Sequence, residues 1–144
     1  MIRVAMWSCV ALCAVGALVA CDDEPTGPKP GEEFTLAVGE KATLEAVGAT
    51  VRFVGVPADS RCPSQVECVW AGDGAVVLAI RPLVSGEAED TLHTHPDGKR
   101  AVALSRYELT LLQLDPYPEA AFGKIPPEDY RATLALYERL QTQP

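Results

Sequence analysis

The sequence predicts an all-β protein: two antiparallel sheets packed as a sandwich of seven to eight strands, with one short-loop disulfide. Three observations predict it. Short apolar runs alternate with polar residues at period two and are broken by Gly or Pro. No stretch between residues 33 and 128 shows sustained helical spacing. Cys62 and Cys68 lie six positions apart, close to Trp70. In an oxidising compartment they pair and remove about 2 kcal/mol of unfolded-chain entropy.

The elements follow in order. Phe34, Leu36 and Val38 alternate with Thr35 and Ala37, and Gly39-Glu40 makes a turn. Ala42, Leu44 and Ala46 follow, and Gly48 breaks the run. Val51 to Val56 is the third strand, ended by Pro57. Gly72-Asp73-Gly74 is a turn or bulge. Ala75 to Ile80 is the most continuously apolar run, which predicts a central strand covered on both faces. Glu89 to His95 is a further strand, and Pro96-Asp97-Gly98-Lys99 is a strong turn. Tyr107, Leu109, Leu111 and Gln113 alternate with Glu108, Thr110 and Leu112 in another strand, ended at Asp115-Pro116-Tyr117-Pro118. A Pro/Gly-rich loop then runs to Pro127. In the last element, residues 129–140, helical spacing competes with alternation of Tyr130, Ala132, Leu134 and Leu136; a closing strand is favoured.

The chain divides into residues 1–20, a secretory signal peptide; 21–32, a lipidated Cys21 and flexible linker; and 33–140, the sandwich. The signal is read from Arg3 and the apolar run Val10 to Ala20. The linker holds three prolines, two glycines and no large apolar residue after Cys21. Removing residues 1–20 removes Arg3 and no acid, which leaves 11 bases against 20 acids, a net charge of −9. That balance argues against nucleic acid and against an anionic bilayer as an electrostatic partner.

The residues Leu18-Val19-Ala20-Cys21 resemble the lipobox of bacterial lipoproteins. The resemblance implies cleavage before Cys21, acylation of that thiol, and a membrane partner reached through the N-terminal lipid. The domain is then expected in the cell envelope, facing periplasm or exterior. Asp22 resembles the inner-membrane retention signal of enteric-type bacteria, and inner and outer membrane both stay open. Cys9 and Cys13 leave with the leader, so Cys62 and Cys68 remain as the even pair.

A disulfide beside a tryptophan is similar to the core of immunoglobulin domains, and the sandwich is expected to be immunoglobulin-like in architecture. The short cysteine spacing does not match their inter-sheet bridge. The pattern also resembles a set of small bacterial secreted or lipid-anchored proteins of unknown function. They share Asp59-Ser60-Arg61-Cys62-Pro63, a second cysteine followed by Trp-Ala-Gly at Cys68 to Gly72, and Leu-x-Pro-Tyr-Pro at Leu114 to Pro118. The likeness spans most of residues 34–138. It implies fold and export and carries no activity.

The candidate binding residues are Asp59, Arg61, Trp70 and Tyr117. Asp59 suits an Asx-turn, and Arg61 can fork onto a carboxylate. Trp70 is the natural cover for the disulfide. The stretch 59–72 is either a stapled corner leading into a strand or a binding tip. A redox role is disfavoured because the spacing is not Cys-x-x-Cys. Tyr117, with Phe122 nearby, forms either an exposed aromatic patch or a cover over one sheet end.

His93-Thr94-His95 puts two imidazoles on one strand face, enough for Zn²⁺ or Cu²⁺ if Asp97 or Glu89 converges. Adventitious binding at an exposed edge is the commoner outcome, so no metal and no cofactor is assigned. No Gly-x-Ser-x-Gly elbow and no phosphate-binding Gly loop occurs, and aromatics make up only 6%, few for a sugar cleft. The expectation is a non-catalytic envelope lipoprotein that binds a protein or another envelope component. The alternatives are a periplasmic metal-binding protein using His93 and His95, and an inhibitor of a secreted protease.

Overall fold

The computed structural model describes residues 27–120 and 123–140. The signal peptide, Cys21, most of the linker and Phe122 lie outside the described residues. The described residues form eight strands: β1 (Glu33–Ala37), β2 (Lys41–Leu44), β3 (Ala49–Asp59), β4 (Gly74–Pro82), β5 (Ala88–His93), β6 (Ala101–Leu104), β7 (Tyr107–Asp115) and β8 (Arg131–Glu138). They build two four-stranded antiparallel sheets, in the orders β1-β8-β7-β6 and β2-β3-β4-β5. The two sheets pack face to face as the predicted sandwich. Within each sheet every pair of neighbours is sequential except β1–β8, and the chain changes sheet between β1 and β2 and between β5 and β6, so the likeness to immunoglobulin domains is one of layers; the connectivity is two meanders.

The core lies between the sheets. Leu44, Val51, Phe53, Val76, Leu78 and Leu92 from one sheet meet Leu36, Leu109, Leu111, Ala132, Leu134 and Leu136 from the other. Alternation along each strand sends these side chains inward and leaves their neighbours toward water. Residues 131–138 form a strand, as favoured, because Tyr130, Ala132, Leu134 and Leu136 fill the core in period two.

Several boundaries differ from expectation. The second strand stops at Leu44; Glu45–Val47 is a 3₁₀ turn that ends at Gly48 with φ +59°, so Ala46 continues no alternation. Pro57 does not end β3. The pairing jumps from Gly55–Val77 to Ala58–Ala75, and Pro57 falls in that bulge, where its missing N–H interrupts no ladder bond. An earlier shift between Phe53 and Gly55 turns Val56 onto the core. β4 is central in its sheet, but Ala75 and Val77 are only half-buried, because no second layer covers the outer face. β5 ends at His93, so His95 lies outside it. β6 is an element the alternation does not reveal, because its four residues, Ala-Val-Ala-Leu, are all apolar and too few to show a period. In β7 a shift between Leu111 and Gln113 exposes Gln113 and buries Leu114 in its place.

The sandwich has two poles. Short turns close one pole: the β2–β3 link, the β4–β5 loop and the β6–β7 turn, where β1 also begins. The long connections lie at the other: the disulfide loop between β3 and β4, the β5–β6 turn, and residues 116–130 between β7 and β8.

Candidate functional site

The long-loop pole is assembled around Arg61. Asp59, the last residue of β3, accepts the Arg61 backbone N–H on Oδ1 at 3.1 Å, the Asx-turn expected from the sequence. The same carboxylate is gripped by the guanidinium: Nε donates to Oδ1 at 2.9 Å and Nη2 to Oδ2 at 2.7 Å. The fork is therefore bidentate, as Arg geometry allows and Lys geometry does not. The guanidinium then crosses to the other sheet. Nη1 donates to the Leu114 carbonyl at 2.5 Å, and Nη2 donates to the Pro116 carbonyl at 2.9 Å. The Asp115–Pro116 bond is cis. Only 6% of Arg61 is exposed. Its charge is buried, paired and nearly fully hydrogen-bonded, the condition under which a buried arginine is tolerated.

Tyr130 completes the cluster. Its hydroxyl donates to Asp59 Oδ2 at 2.9 Å. Burial pushes the Asp59 carboxyl up. The side-chain and backbone hydrogen bonds from Arg61, its charge and the Tyr130 hydroxyl outweigh this and hold it below its ordinary 3.8. Burial, with the hydrogen bond to Asp59 and that carboxylate's charge, pushes the Tyr130 hydroxyl up to about 12.

The disulfide loop is anchored on both sides of this cluster. Ser60 and Asp73 exchange bonds: Ser60 N–H donates to the Asp73 carbonyl at 2.7 Å, and Asp73 N–H donates to Ser60 Oγ at 3.1 Å. Cys62 N–H donates to the Ala71 carbonyl at 2.9 Å, and Ser64 N–H reaches the Pro118 carbonyl at 3.0 Å. Gly72 sits at φ +71°, and a Cβ there would collide with the Ser60 carbonyl, so the close approach requires glycine. Cys62 and Cys68 are bonded, with their Cα atoms 6.0 Å apart.

Trp70 does not cover the disulfide. It is 66% exposed, and Val69 beside it is fully exposed. The segment after Cys68 presents its side chains outward. Tyr117 is exposed as well, with its ring centroid 5.3 Å from the Arg61 guanidinium carbon. Trp70, Val69 and Tyr117 are thus apolar groups on loops held by the buried Arg61 network.

An open cleft of about 670 Å³ lies beside the cluster, bounded by Pro57, Asp59, Arg61, Pro118, Lys124 and Tyr130. A smaller recess of about 210 Å³ lies across Gly123–Ile125, against Tyr117 and Glu119. Tyr130 and Lys124 were not read as site residues. The one signal for Tyr130 is that an inward tyrosine at a strand start needs a partner for its hydroxyl.

The histidines form a separate knot. His93 Nδ1 lies 2.6 Å from Asp73 Oδ2, while Asp73 Oδ1 accepts the His95 N–H at 3.0 Å and the Thr94 hydroxyl at 3.3 Å. Burial raises the Asp73 carboxyl, but these hydrogen bonds and the His93 charge bring it below 3.8. His95 Nδ1 accepts the Asp97 N–H at 3.2 Å. Asp73 ties the β5–β6 turn to the end of the disulfide loop. Among the described residues no group of three or more His, Cys, Asp or Glu converges as a metal site. The Asp97 carboxylate comes no closer to His95 Nδ1 than 3.9 Å, and His93 is turned to Asp73 instead.

Fold and site together define a small two-sheet β protein with a loop-built cleft at one pole. Comparison with protein-family models, with curated proteins and with solved structures finds no match.

Proposed function

We propose that the chain is a non-catalytic lipoprotein of the cell envelope, anchored through Cys21, whose long-loop pole binds a protein partner. The observation that carries the binding reading is the Arg61 network. One buried side chain holds Asp59, Leu114 and Pro116, and so fixes both loops that border the cleft. Rigid loops on a β scaffold present a ligand surface without an ordering cost at the moment of binding. The exposed Trp70 and Tyr117 are the residue types that dominate protein interfaces. The test is photo-crosslinking from positions 70 and 117 in native envelopes, with the Trp70→Ala/Tyr117→Ala variant as control. A single partner captured by the parent and lost in the variant supports the reading. Equal recovery of every partner by both proteins removes it.

A second reading, inhibition of a secreted protease, is favoured by Val69. This residue is fully exposed next to Cys68, on a loop closed by a disulfide and bonded at Ser60, Cys62 and Ser64. A braced loop with a fully exposed small aliphatic residue suits a protease cleft that accepts such a side chain. Titration against secreted serine proteases tests it; Val69→Asp should abolish inhibition, and a parent protein that is simply degraded removes this reading.

A further inference from the structure

The pole opposite the cleft carries a feature that the binding reading leaves unused. Leu83 and Val84 stand at the tip of the β4–β5 loop, 86% and 95% exposed. They are followed by Ser85 and Gly86, and among the described residues nothing packs over them. Leu83 N–H donates to the Gly48 carbonyl at 2.9 Å, so the loop base is fixed to the β2–β3 link. The N-terminal segment arrives at that same link. Gly27 presses so closely on the Thr43 carbonyl that a Cβ would collide with it, and it also contacts Glu45. Gly31 N–H then donates to the Leu136 carbonyl at 2.8 Å as the chain turns into β1. The tether and the apolar loop therefore share one neighbour and one pole.

Only five residues separate Cys21 from Gly27. At ~3.6 Å per residue they cannot span more than about 22 Å, less than the length of many such domains. An acyl chain on Cys21 would hold this pole close to the bilayer. We infer that the Leu83–Val84 loop is a second membrane contact, inserting into the lipid interface and turning the cleft away from it. This inference rests on the anchoring reading above. Arg81, Arg106 and Arg139 are exposed at this pole, but so are Glu45, Glu87 and Glu138, so the contact is apolar rather than electrostatic. Two aliphatic side chains do not hold a protein on a bilayer by themselves; on a tethered protein they set its orientation.

The test uses the full chain, expressed with its leader and purified in its mature form. With Cys62 and Cys68 paired and Cys21 acylated, Val84→Cys is the one thiol available for an environment-sensitive fluorophore. The labelled protein is reconstituted on vesicles of phosphatidylethanolamine and phosphatidylglycerol, with and without nitroxide-bearing lipid. A blue shift and nitroxide quenching at position 84, absent from a matched Val69→Cys label and little changed by salt, are expected. Co-flotation with no shift at position 84 overturns the contact and leaves the anchor standing. A shift that needs no vesicles and grows with protein concentration assigns the loop to a second copy and also overturns it. Failure to float, with no acyl mass on Cys21, overturns both the anchor and this inference.

Discussion

The Tyr130 hydroxyl donates to Asp59 Oδ2 at 2.9 Å, a bond that joins the start of β8 to the end of β3 across the two sheets. Arg61 holds the same carboxylate from the other side. Three side chains from two sheets thus meet where the long loops leave the sandwich.

Arg61 is expected to be worth more than any exposed loop residue. Arg61→Ala leaves Asp59 buried without its cation and leaves the Leu114 and Pro116 carbonyls unpaired. The expected loss is about 3–5 kcal/mol, because breaking a buried pair strands a charge. Arg61→Lys should recover less than half, since an ammonium cannot fork. Urea unfolding of both variants measures it. A loss below about 1 kcal/mol would mean that the pair behaves like a surface ion pair.

Stability should fall at both ends of the pH scale. Asp59 and Asp73 have folded values below 3.8, so their contribution is complete above 3.8 and is lost as pH falls through those lower values. Tyr130 is raised, so its contribution is complete below 10.0 and is lost as pH rises from there to about 12. Tyr130→Phe should cost about 1.5–3 kcal/mol at neutral pH and flatten the alkaline limb relative to the parent. Melting temperature against pH for the two proteins checks the sign; parallel alkaline limbs would refute it.

Gly72 and Gly86 should respond in opposite ways to alanine. Gly72→Ala drives a Cβ into the Ser60 carbonyl at φ +71°, whereas a Cβ at Gly86 meets nothing within 4 Å. The first is expected to cost roughly 2 kcal/mol or more, and the second to lie within about 0.5 kcal/mol of the parent. Thermal melts of the pair decide this.

Reduction of Cys62–Cys68 should leave the sandwich folded. The ring is short, so its removal costs about 2 kcal/mol on the loop-entropy account. The core lies away from it, between the sheets. Far-ultraviolet circular dichroism should be unchanged under reductant, while protease cutting between Pro63 and Trp70 accelerates. Collapse of the β spectrum would count against a core that stands alone.

The strands were legible where alternation runs unbroken, as at Val51 and Phe53, Leu109 and Leu111, and Ala132 to Leu136. Legibility failed at two of the three register shifts. After Phe53 and after Leu111 an unpaired residue shifts the phase, which turns in Val56 and Leu114 in place of the residues that strict period two selects. Nothing local in the sequence marks those slips. Of the site, Asp59 and Arg61 were legible because an Asx-turn and a fork need only short-range geometry. Trp70, expected as the cover for the disulfide beside it, is instead largely exposed. The buried side chain of this loop is Arg61, whose acceptors, Leu114 and Pro116, lie more than fifty residues further along the chain. Tyr130 is seventy-one residues from Asp59, and only the closed sandwich brings them together.

The pairing of the first strand with the last has a bearing on how the domain comes into being. Leu36 finds Ala132, and Phe34 finds Leu134, only when β8 is present. Until residue 138 has been delivered, one sheet lacks two of its four members and β1 has no edge to lie against. The closing contacts span almost the entire domain, which makes folding a slow, all-at-once event at the end of chain delivery. A chain cut short anywhere before β8 is left with a bare apolar layer, open to aggregation and proteolysis.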